Sequence, residues 1–137
     1  MNADLVVQTA IRARLVATAA VTELVPATSI LDTHGTPAPR PSIILGDAQV
    51  VDTETAYARN HWRVFHTLHI WKKEPSREGA KTIAAAVAAA LTPGRLVLTE
   101  GYHCADCRVS SVRAMSDPDG ETAHAVVVVE ALVEGPA

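Results

Sequence analysis

The chain has 137 residues, a net charge of −3 and a hydrophobic content of 48%, yet aromatic residues make up only 4%. This length fits one domain, 1–137, with a core built from Ala, Val, Leu and Ile. The net negative charge argues against a surface that binds nucleic acid by neutralising phosphates. No apolar run approaches the roughly 20 residues of a membrane span, and the N-terminus has no signal-peptide pattern. We therefore expect a soluble intracellular protein.

The N-terminal segment predicts a helix. Asp4 is typical of an N-cap, and apolar residues recur at helical spacing from Leu5 to Ala19. A short helical continuation follows over 21–25 and stops before Pro26, whose ring cannot continue a helix. We therefore expect one main helix of about four turns at the start of the chain.

Two short strands and a loop follow this helix. Residues 29–33 and 42–45 are rich in branched apolar side chains, which predicts strands, and Gly46 with Asp47 closes the second one. The segment between them, 34–41, contains three prolines and one glycine. This composition predicts a loop with an extended backbone.

The segment 48–60 has no clear hydrophobic periodicity and carries acidic side chains at Asp52 and Glu54. We interpret it as a long, exposed excursion that ends where His61 enters the next strand. A loop of this length in a small domain is usually functional or mobile, so it is a candidate contact region.

The next stretch predicts the central strand of the sheet. Alternation places Val64, His66, Leu68 and Ile70 on one face, and Phe65, Thr67, His69 and Trp71 on the other. Both faces carry large apolar groups. We therefore expect a strand that is covered on both sides, at least at its Trp71 end.

A sharp turn and a second helix follow that strand. Pro75 ends the strand, Ser76 is typical of an N-cap, and apolar positions at four-residue spacing predict a helix over 79–91. Most other positions of this helix are alanine, so it can lie very close to a sheet. Pro93 and Gly94 are typical of a helix end.

The C-terminal third predicts three strands. Residues 95–99, 108–115 and 122–133 are β-rich, and 117–120 has the composition of a tight turn. Short connections between the late strands favour antiparallel pairing. The fold class that we expect is α+β, with one mainly antiparallel sheet and two helices packed on it.

A Cys-x-x-Cys motif is the sharpest candidate for chemistry. Cys104 and Cys107, with His103 adjacent, have the spacing of half a zinc site, but no second pair of ligands follows. A redox role would need the first cysteine at a helix N-terminus, whereas this motif runs into a predicted strand. Two small, partly buried residues at a strand bend are the simpler interpretation, so we expect no cofactor.

The other polar residues do not form a recognisable site. His66 and His69 point to opposite faces of their strand and cannot ligate one metal ion, and His124 lies in the last strand. The acidic residues of 46–61 and of the 117–120 turn lack the spacing of a calcium loop. Because the sequence contains neither a phosphate-binding loop nor a nucleophile in the context of a base, we expect no enzyme.

The order and spacing of these elements resemble the small tail-completion, or tail-terminator, proteins of long-tailed phages and of phage-derived gene transfer agents. The segments that carry the resemblance are, in chain order, 10–15, 21–25, 30–32, 41–46, 66–71, 78–91 and 124–130. The strongest is His-x-x-x-Ile-Trp at 66–71, followed by a polar turn and an Ala-rich helix that ends in Leu91.

The resemblance implies a structural protein. Members of this family are similar to proteins that form a ring, usually six-fold, on the head-proximal end of the tail tube. Such a ring stops tube polymerisation and presents a surface to the head-side connector or stopper protein, while DNA passes through the lumen without specific binding. Six copies at −3 each would carry a net charge of −18, which favours passage of DNA through the ring over binding of DNA to it. The implied location is the tail of a virion or phage-like particle that is assembled in the host cytoplasm.

Polar, exposed stretches are where we expect contacts with neighbouring copies or with the tail tube protein. These are the 46–61 excursion and the 116–123 turn, with the individual candidates Asp47, Val50, Asp52, Glu54, Trp62, Asp117 and Asp119. The sequence leaves two alternatives open. One is a small zinc-binding or redox module that uses His103, Cys104 and Cys107, and the other is a head-side adaptor or stopper of the same particle.

Overall fold

The computed structural model describes residues 2–32, 41–92 and 95–136. The α-helices of this part of the chain are α1 Ala3–Val16, α2 Ala19–Thr22 and α3 Glu78–Leu91, and Ala27–Ser29 forms a 3₁₀ turn. The strands are β1 Ile30–Leu31, β2 Ser42–Asp52, β3 His61–Lys72, β4 His103–Ser116 and β5 Ala123–Glu134. They form one sheet in the order β1-β2-β3-β5-β4.

The sheet is mixed. Neighbours among β2, β3, β5 and β4 are antiparallel, whereas the two-residue β1 runs parallel to β2, with Ile30 opposite Ile43. Residues 32–41 separate these two strands, and a parallel pair needs a connection that is longer than a hairpin turn. The predicted α+β class is therefore confirmed, but the sheet is not purely antiparallel.

The core lies between one face of the sheet and the helices. The residues of β3 that point to this face are all buried, namely Val64, His66, Leu68 and Ile70. They belong to the same hydrophobic cluster as Ile11 of α1 and Val87 of α3, apart from the polar His66. The opposite face, which carries Phe65 and Trp71, is only half-buried. The prediction of a strand covered on both sides is therefore wrong within the described ranges, because an antiparallel sheet can leave one face to solvent.

Helix α1 begins earlier than predicted. Asn2, not Asp4, is its N-cap, and the side-chain Oδ1 of Asn2 accepts a hydrogen bond from the backbone N of Leu5 at 3.1 Å. Asp4 lies in the first turn, where its negative charge complements the helix dipole. The helical continuation is a separate four-residue helix, α2, so the described residues include three α-helices where two are predicted.

Helix α3 confirms the second helix prediction. The apolar positions at four-residue spacing, Ile83, Val87 and Leu91, are buried. Arg77 occupies the N-cap position without a side-chain hydrogen bond, and Ser76, one residue earlier, accepts a bond from the backbone N of Glu78 at 3.1 Å. The helix end that was predicted at 93–94 lies outside the described residues.

Strand β2 is much longer than predicted. Gly46 and Asp47 do not end it, because a bulge between Leu45 and Ala48 absorbs the extra residue and the pairing with β3 then resumes. The exposed excursion is therefore restricted to 53–60. The sequence shows no periodicity over 46–52 because these residues are exposed or half-buried on both faces, which removes the apolar signal.

Residues 95–99 do not form the predicted strand. Leu96 is buried and Leu98 packs against the core, so the apolar side chains cover the core without joining the sheet. The predicted turn between β4 and β5 is confirmed, since the backbone N of Asp117 donates to the carbonyl oxygen of Thr122 at 2.8 Å. Gly120 adopts a φ of +72°, which glycine tolerates without strain.

One predicted element cannot be compared with the structure: the proline-rich loop, 34–41, lies outside the described residues except for Pro41. Among the helices of the described ranges, none has the length and apolar character needed to cross a membrane.

Candidate assembly surfaces

The predicted contact residues lie at three places on the sheet. Asp52, Glu54 and Trp62 are at the hairpin that joins β2 to β3, and Asp47 and Val50 lie along the outer side of β2. Asp117 and Asp119 belong to the turn between β4 and β5, at the other end of the strands. The pairing of β3 with β5 runs over twelve residues, which separates the two ends by about 36 Å.

Asp52 shapes the β2–β3 hairpin. Its Oδ1 accepts a hydrogen bond from the backbone N of Glu54 at 2.7 Å, and its Oδ2 lies 3.8 Å from Nη1 of Arg59. Glu54 and Arg59 both adopt the left-handed backbone conformation, with φ of 61° and 53°. The carboxylate of Asp52 therefore stabilises the conformation of the hairpin loop, whereas the side chain of Glu54 is exposed to solvent.

Trp62 is half-buried at the same end of the sheet. Its ring lies 6.2 Å from the ring of Tyr102, centroid to centroid, with a tilt of 35°. Gly135 packs against the Trp62 ring so closely that an added Cβ would lie 2.5 Å from Cζ3. The indole thus has a packing role in addition to the predicted contact role, and a depression of about 300 Å³ opens beside it.

The acidic residues of the β4–β5 turn build the turn itself. Oδ1 of Asp119 accepts hydrogen bonds from the backbone N of Glu121 and of Thr122, at 2.8 and 2.9 Å, and its Oδ2 accepts one from the Thr122 hydroxyl at 2.9 Å. Oδ2 of Asp117 accepts a bond from the backbone N of Asp119 at 3.3 Å. Substitutions here would change the turn as well as any contact.

Asp47 and Val50 line a strand edge. β1 pairs only with Ile43 and Ile44 of β2, so the later residues of β2 have no strand on that side within the described ranges. Asp47 is exposed, and 40% of the Val50 surface is accessible. An edge with unpaired backbone groups is a template for pairing with another chain.

The side chains of the zinc and redox candidates, His103, Cys104 and Cys107, do not point to one site. A bulge between Cys104 and Asp106 places both cysteines on the core side, opposite Val133 and Ala131 of β5, whereas His103 is exposed. Burial raises the pKa of the Cys104 thiol, and burial together with the neighbouring Cys104 raises the pKa of Cys107 to about 11. Zinc binding and thiol exchange both need thiolates, which this environment disfavours.

No three His, Cys, Asp or Glu side chains come together as a metal-binding group in the part of the chain that the structure describes. His66 and His69 do point to opposite faces, as predicted, since His66 is buried under α1 and His69 lies on the open face. His61 bonds through Nδ1 to the Asn60 side chain at 3.0 Å.

An aromatic stack on the open face was missed by the sequence reasoning. The rings of Trp71 and His124 lie 3.8 Å apart, centroid to centroid, and are nearly parallel at 6°. The ring of His69 also stacks on the ring of His124, with 5.2 Å between their centroids. A hydrogen bond joins the two rings. Ile44 and Gly46 complete a depression of about 280 Å³ around the three rings. The alternation of the sequence assigns Trp71, His69 and His124 to faces of their strands. It does not give the register between β3 and β5, which determines that the three rings are neighbours.

A charged network on the same open face was also missed. Glu130 of β5 accepts from Arg63 Nε at 2.7 Å and from Arg108 Nη2 at 2.6 Å. The carboxylate therefore connects β3 and β4 across the strand that lies between them. Its side chain is 11% exposed, whereas both arginines remain largely accessible to water.

Comparison with known proteins gives a family and a fold. The family model described as "Tail completion protein gp17" matches residues 9–134. A chain in the solved structure titled "Virion of native gene transfer agent (GTA) particle" is 25% identical, with a TM-score of 0.78, and the match covers 98% of this chain and 100% of that one.

A second solved structure, "Structure of bacteriophage SPP1 gp17 protein", has the same fold. It is 22% identical to the chain, with a TM-score of 0.62, and the match covers 93% of this chain and 88% of that one. No curated protein matches the sequence.

Proposed function

The chain belongs to the tail completion protein gp17 family, and from this premise we propose that it forms a closed ring on the head-proximal end of a phage-type tail tube. The family is one of structural tail-completion proteins, so the chain is a phage tail structural protein and not an enzyme. The proposed ring ends tube polymerisation and joins the tail to the head-side connector.

The match to a chain of a gene transfer agent particle carries the proposal. That chain is part of a virion, and the likeness extends over 98% of the present sequence. We place the protein, by this likeness, at the tail of a virion or gene transfer agent particle that is assembled in the host cytoplasm. Its other partners there are the tail tube protein and the head-side connector.

Two features of the molecule support a ring, for which we propose six copies. The sheet has exposed strand edges on both sides, and closure into a ring removes edges that would otherwise promote aggregation. The acidic balance suits a lumen through which DNA slides, because a ring of copies at −3 each repels phosphates.

The separation of the two sheet ends supports two different axial contacts. Asp52, Glu54 and Trp62 lie at one end, and the β4–β5 turn with Asp117 lies about 36 Å away at the other. A subunit of this shape can face the tube with one end and the connector with the other. Asp47 and Val50, on the strand edge between the ends, are available to neighbouring copies.

The experiment that tests this function combines native mass spectrometry with a capping assay. We expect a metal-free closed oligomer, or a monomer that closes only on tubes, and an arrest of tube growth when the protein is added to polymerising tube protein. Charge reversal by D47K together with D52K should weaken ring formation or capping, whereas K81E on the exposed surface of α3 should not. If D47K/D52K assembles and caps like the unmodified chain, the contact assignment fails.

The same experiment separates the alternatives. A monomer that loses a zinc mass and unfolds when a chelator is added would support the module that uses His103, Cys104 and Cys107. A ring that binds the connector protein but does not arrest tube growth would support a head-side adaptor or stopper. Neither alternative is favoured by a specific contact among the residues that the structure describes.

A further inference from the structure

The two outer sides of the sheet are both open, but they differ in character. On one side, β1 covers only Ile43 and Ile44 of β2, so among the described strands Ala48–Asp52 pairs with β3 alone. On the other side, β5 is the only described strand that pairs with β4, and the stretch Ser111–Ser116 has a regular register. A bulge precedes each stretch, at Leu45/Ala48 and at Val109/Ser111, so each edge offers one short, regular segment. We call these segments the β2 edge and the β4 edge.

Exposed valines mark both edges. Of the described residues, six large hydrophobic side chains are exposed, and three of them belong to these edges: Val50 at 40%, Val51 at 40% and Val112 at 47%. Natural edge strands are usually protected from pairing by charged side chains, proline or short length. Valine has a high β propensity and gives no such protection, so these edges are suited to accept another strand.

The strand directions allow one copy to continue the sheet of the next. β2 is antiparallel to β3, β3 to β5, and β5 to β4, so β4 runs antiparallel to β2. When copies repeat head to tail, the β4 edge of one copy therefore meets the β2 edge of the next in an antiparallel arrangement. The seam would have the same hydrogen-bond pattern as the four-strand part of the sheet.

The side chains at the two edges also agree in the face that they occupy. Val50 pairs with Val64, and Val112 pairs with Val127, in the sheet of their own copy. Both partners are fully buried on the helix side. Across the pairings of one copy, Val50 is level with Cys107 and Val112 is level with Leu45, four residues further along β3. If each copy is shifted by these four residues, about 13 Å, along the strands of its neighbour, Val50 and Val112 would lie opposite each other on the same side of the seam, where each would cover the other from water.

The charges of the two edges are opposite. The charged residue of the β2 edge is Asp52, which lies 3.8 Å from Arg59, and Asp47 precedes this edge. The charged residue of the β4 edge is Arg113, with Asp106 and Arg108 before the edge and Asp117 after it. Arg108 is engaged by Glu130, whereas the structure gives Arg113 no ion pair among the described residues. Opposite potentials favour the contact of unlike edges and disfavour the contact of two β2 edges or two β4 edges.

We propose that the β2 edge of one copy pairs with the β4 edge of the next by antiparallel strand addition, with Val50 and Val112 on the helix side of the seam. This pairing is heterologous, so each copy keeps one free edge of each kind until a ring closes. The proposal rests on the proposed ring function and specifies the surfaces that build it.

The test uses two variants that each block one edge. V50D blocks the β2 edge and V112D blocks the β4 edge, and both positions are already partly accessible, so both variants should fold, as circular dichroism will check. Each variant alone should lose the ring in native mass spectrometry and on tail tubes. An equimolar mixture should give dimers and no rings, because only one pair of intact edges remains between the two variants. V97D, at a valine that is 85% exposed and lies on neither edge, is the matched control and should keep the ring.

A cross-linking experiment gives a positive signal for the same seam. In a chain with V50C and V112C, oxidation should produce a ladder of covalent oligomers up to the ring size, whereas either single variant should give no species larger than a dimer. Folded V50D and V112D proteins that form unmodified rings would overturn the edge assignment while the ring function stands. Homodimers of V50D or V112D would overturn the heterologous pairing. Failure of the unmodified chain to assemble alone or on tubes would overturn the ring function itself.

Discussion

Nδ1 of His69 lies 2.9 Å from Nε2 of His124, across the boundary between β3 and β5. A hydrogen bond between two imidazole nitrogens requires a donor and an acceptor, so the acceptor ring is neutral while the bond exists. Burial lowers the pKa of His124, the charge of His69 lowers it further, and Asp117 opposes both effects. The pair, covered on one side by Trp71, therefore resists double protonation on the open face of the sheet.

We predict that replacing His69 raises the pKa of His124. In H69N the repulsion from a second imidazolium is gone, but burial remains the larger cause, so the pKa should rise only part of the way to its ordinary value of about 6.5. An NMR titration of the His124 ring protons measures this directly. H61N, at the opposite end of β3, is the control and should leave the titration unchanged; an equal shift in H61N would contradict the coupling.

A second histidine should make the stability of the fold depend on pH. Nε2 of His66 lies 2.9 Å from the carbonyl oxygen of Asp4, which can only accept, so Nε2 carries the proton and Nδ1 does not. Nδ1 is buried and has no hydrogen-bond partner among the described residues. Burial accordingly lowers the pKa of His66, against smaller opposing effects of Asp4.

The sign of the effect follows from this lowered pKa. Below about pH 6.5 the unfolded chain takes up a proton at His66 that the folded protein still refuses, so the free energy of unfolding falls as the pH falls. The slope contributed by one histidine is at most about 1.4 kcal/mol per pH unit. Urea unfolding at several pH values between 7 and 5 should show this loss. H66F should flatten the slope even if it lowers stability at pH 7, whereas V7A, which lowers stability without removing a titratable group, should not change it.

The sequence predicts well those parts of the fold in which one face is buried, because apolar residues then recur at the period of the strand or helix. The alternation of β3 and the four-residue spacing of Ile83, Val87 and Leu91 each follow from one buried face, and both are confirmed. The second half of β2 has no such trace because both its faces are exposed, so its sequence predicts a loop where the structure has a strand. Residues 95–99 show the converse error, since their apolar side chains cover the core without joining the sheet.

Contacts across strands were beyond the reach of the sequence. The partner of His69 is 55 residues away, and it depends on the register of two strands separated by a helix and a third strand. A register slip of one residue would move His124 to the buried face. The open face of the sheet, with its stacked rings and its charged network, therefore had to be seen in the structure.

We predict that the Glu130 network contributes measurably to stability. Glu130 Oε1 and Oε2 lie 2.7 and 2.6 Å from Arg63 Nε and Arg108 Nη2, and replacing the carboxylate by an amide would remove both ion pairs while leaving one oxygen that can still accept a hydrogen bond. The arginines are half exposed, which limits each pair to under about 1 kcal/mol, so E130Q should lower the free energy of unfolding by about 1–2 kcal/mol. Most of this loss should disappear at 1 M salt. E121Q, at an exposed position of the β4–β5 turn, is the matched control.

The last prediction concerns the buried thiols. With the pKa of Cys107 raised to about 11, only about one molecule in a thousand carries that thiolate at pH 8, and the pKa of Cys104 is raised as well. A thiol reagent should therefore react far more slowly with the folded protein than with the protein unfolded in urea. An engineered thiol in K81C, at an exposed position of α3 that lies on neither sheet edge, should react at once in the folded protein and serves as the control.

Substitution of the cysteines should affect stability and leave assembly intact. C107A should lower the free energy of unfolding by about 1 kcal/mol, and C107S by more, because a buried hydroxyl without a partner carries a desolvation cost. If a folded variant with both cysteines replaced by alanine fails to cap tubes, or if the unmodified chain loses a bound metal together with its fold, these residues have a functional role that their buried, protonated state does not explain. Capping by the double variant at the unmodified level is the result that we expect.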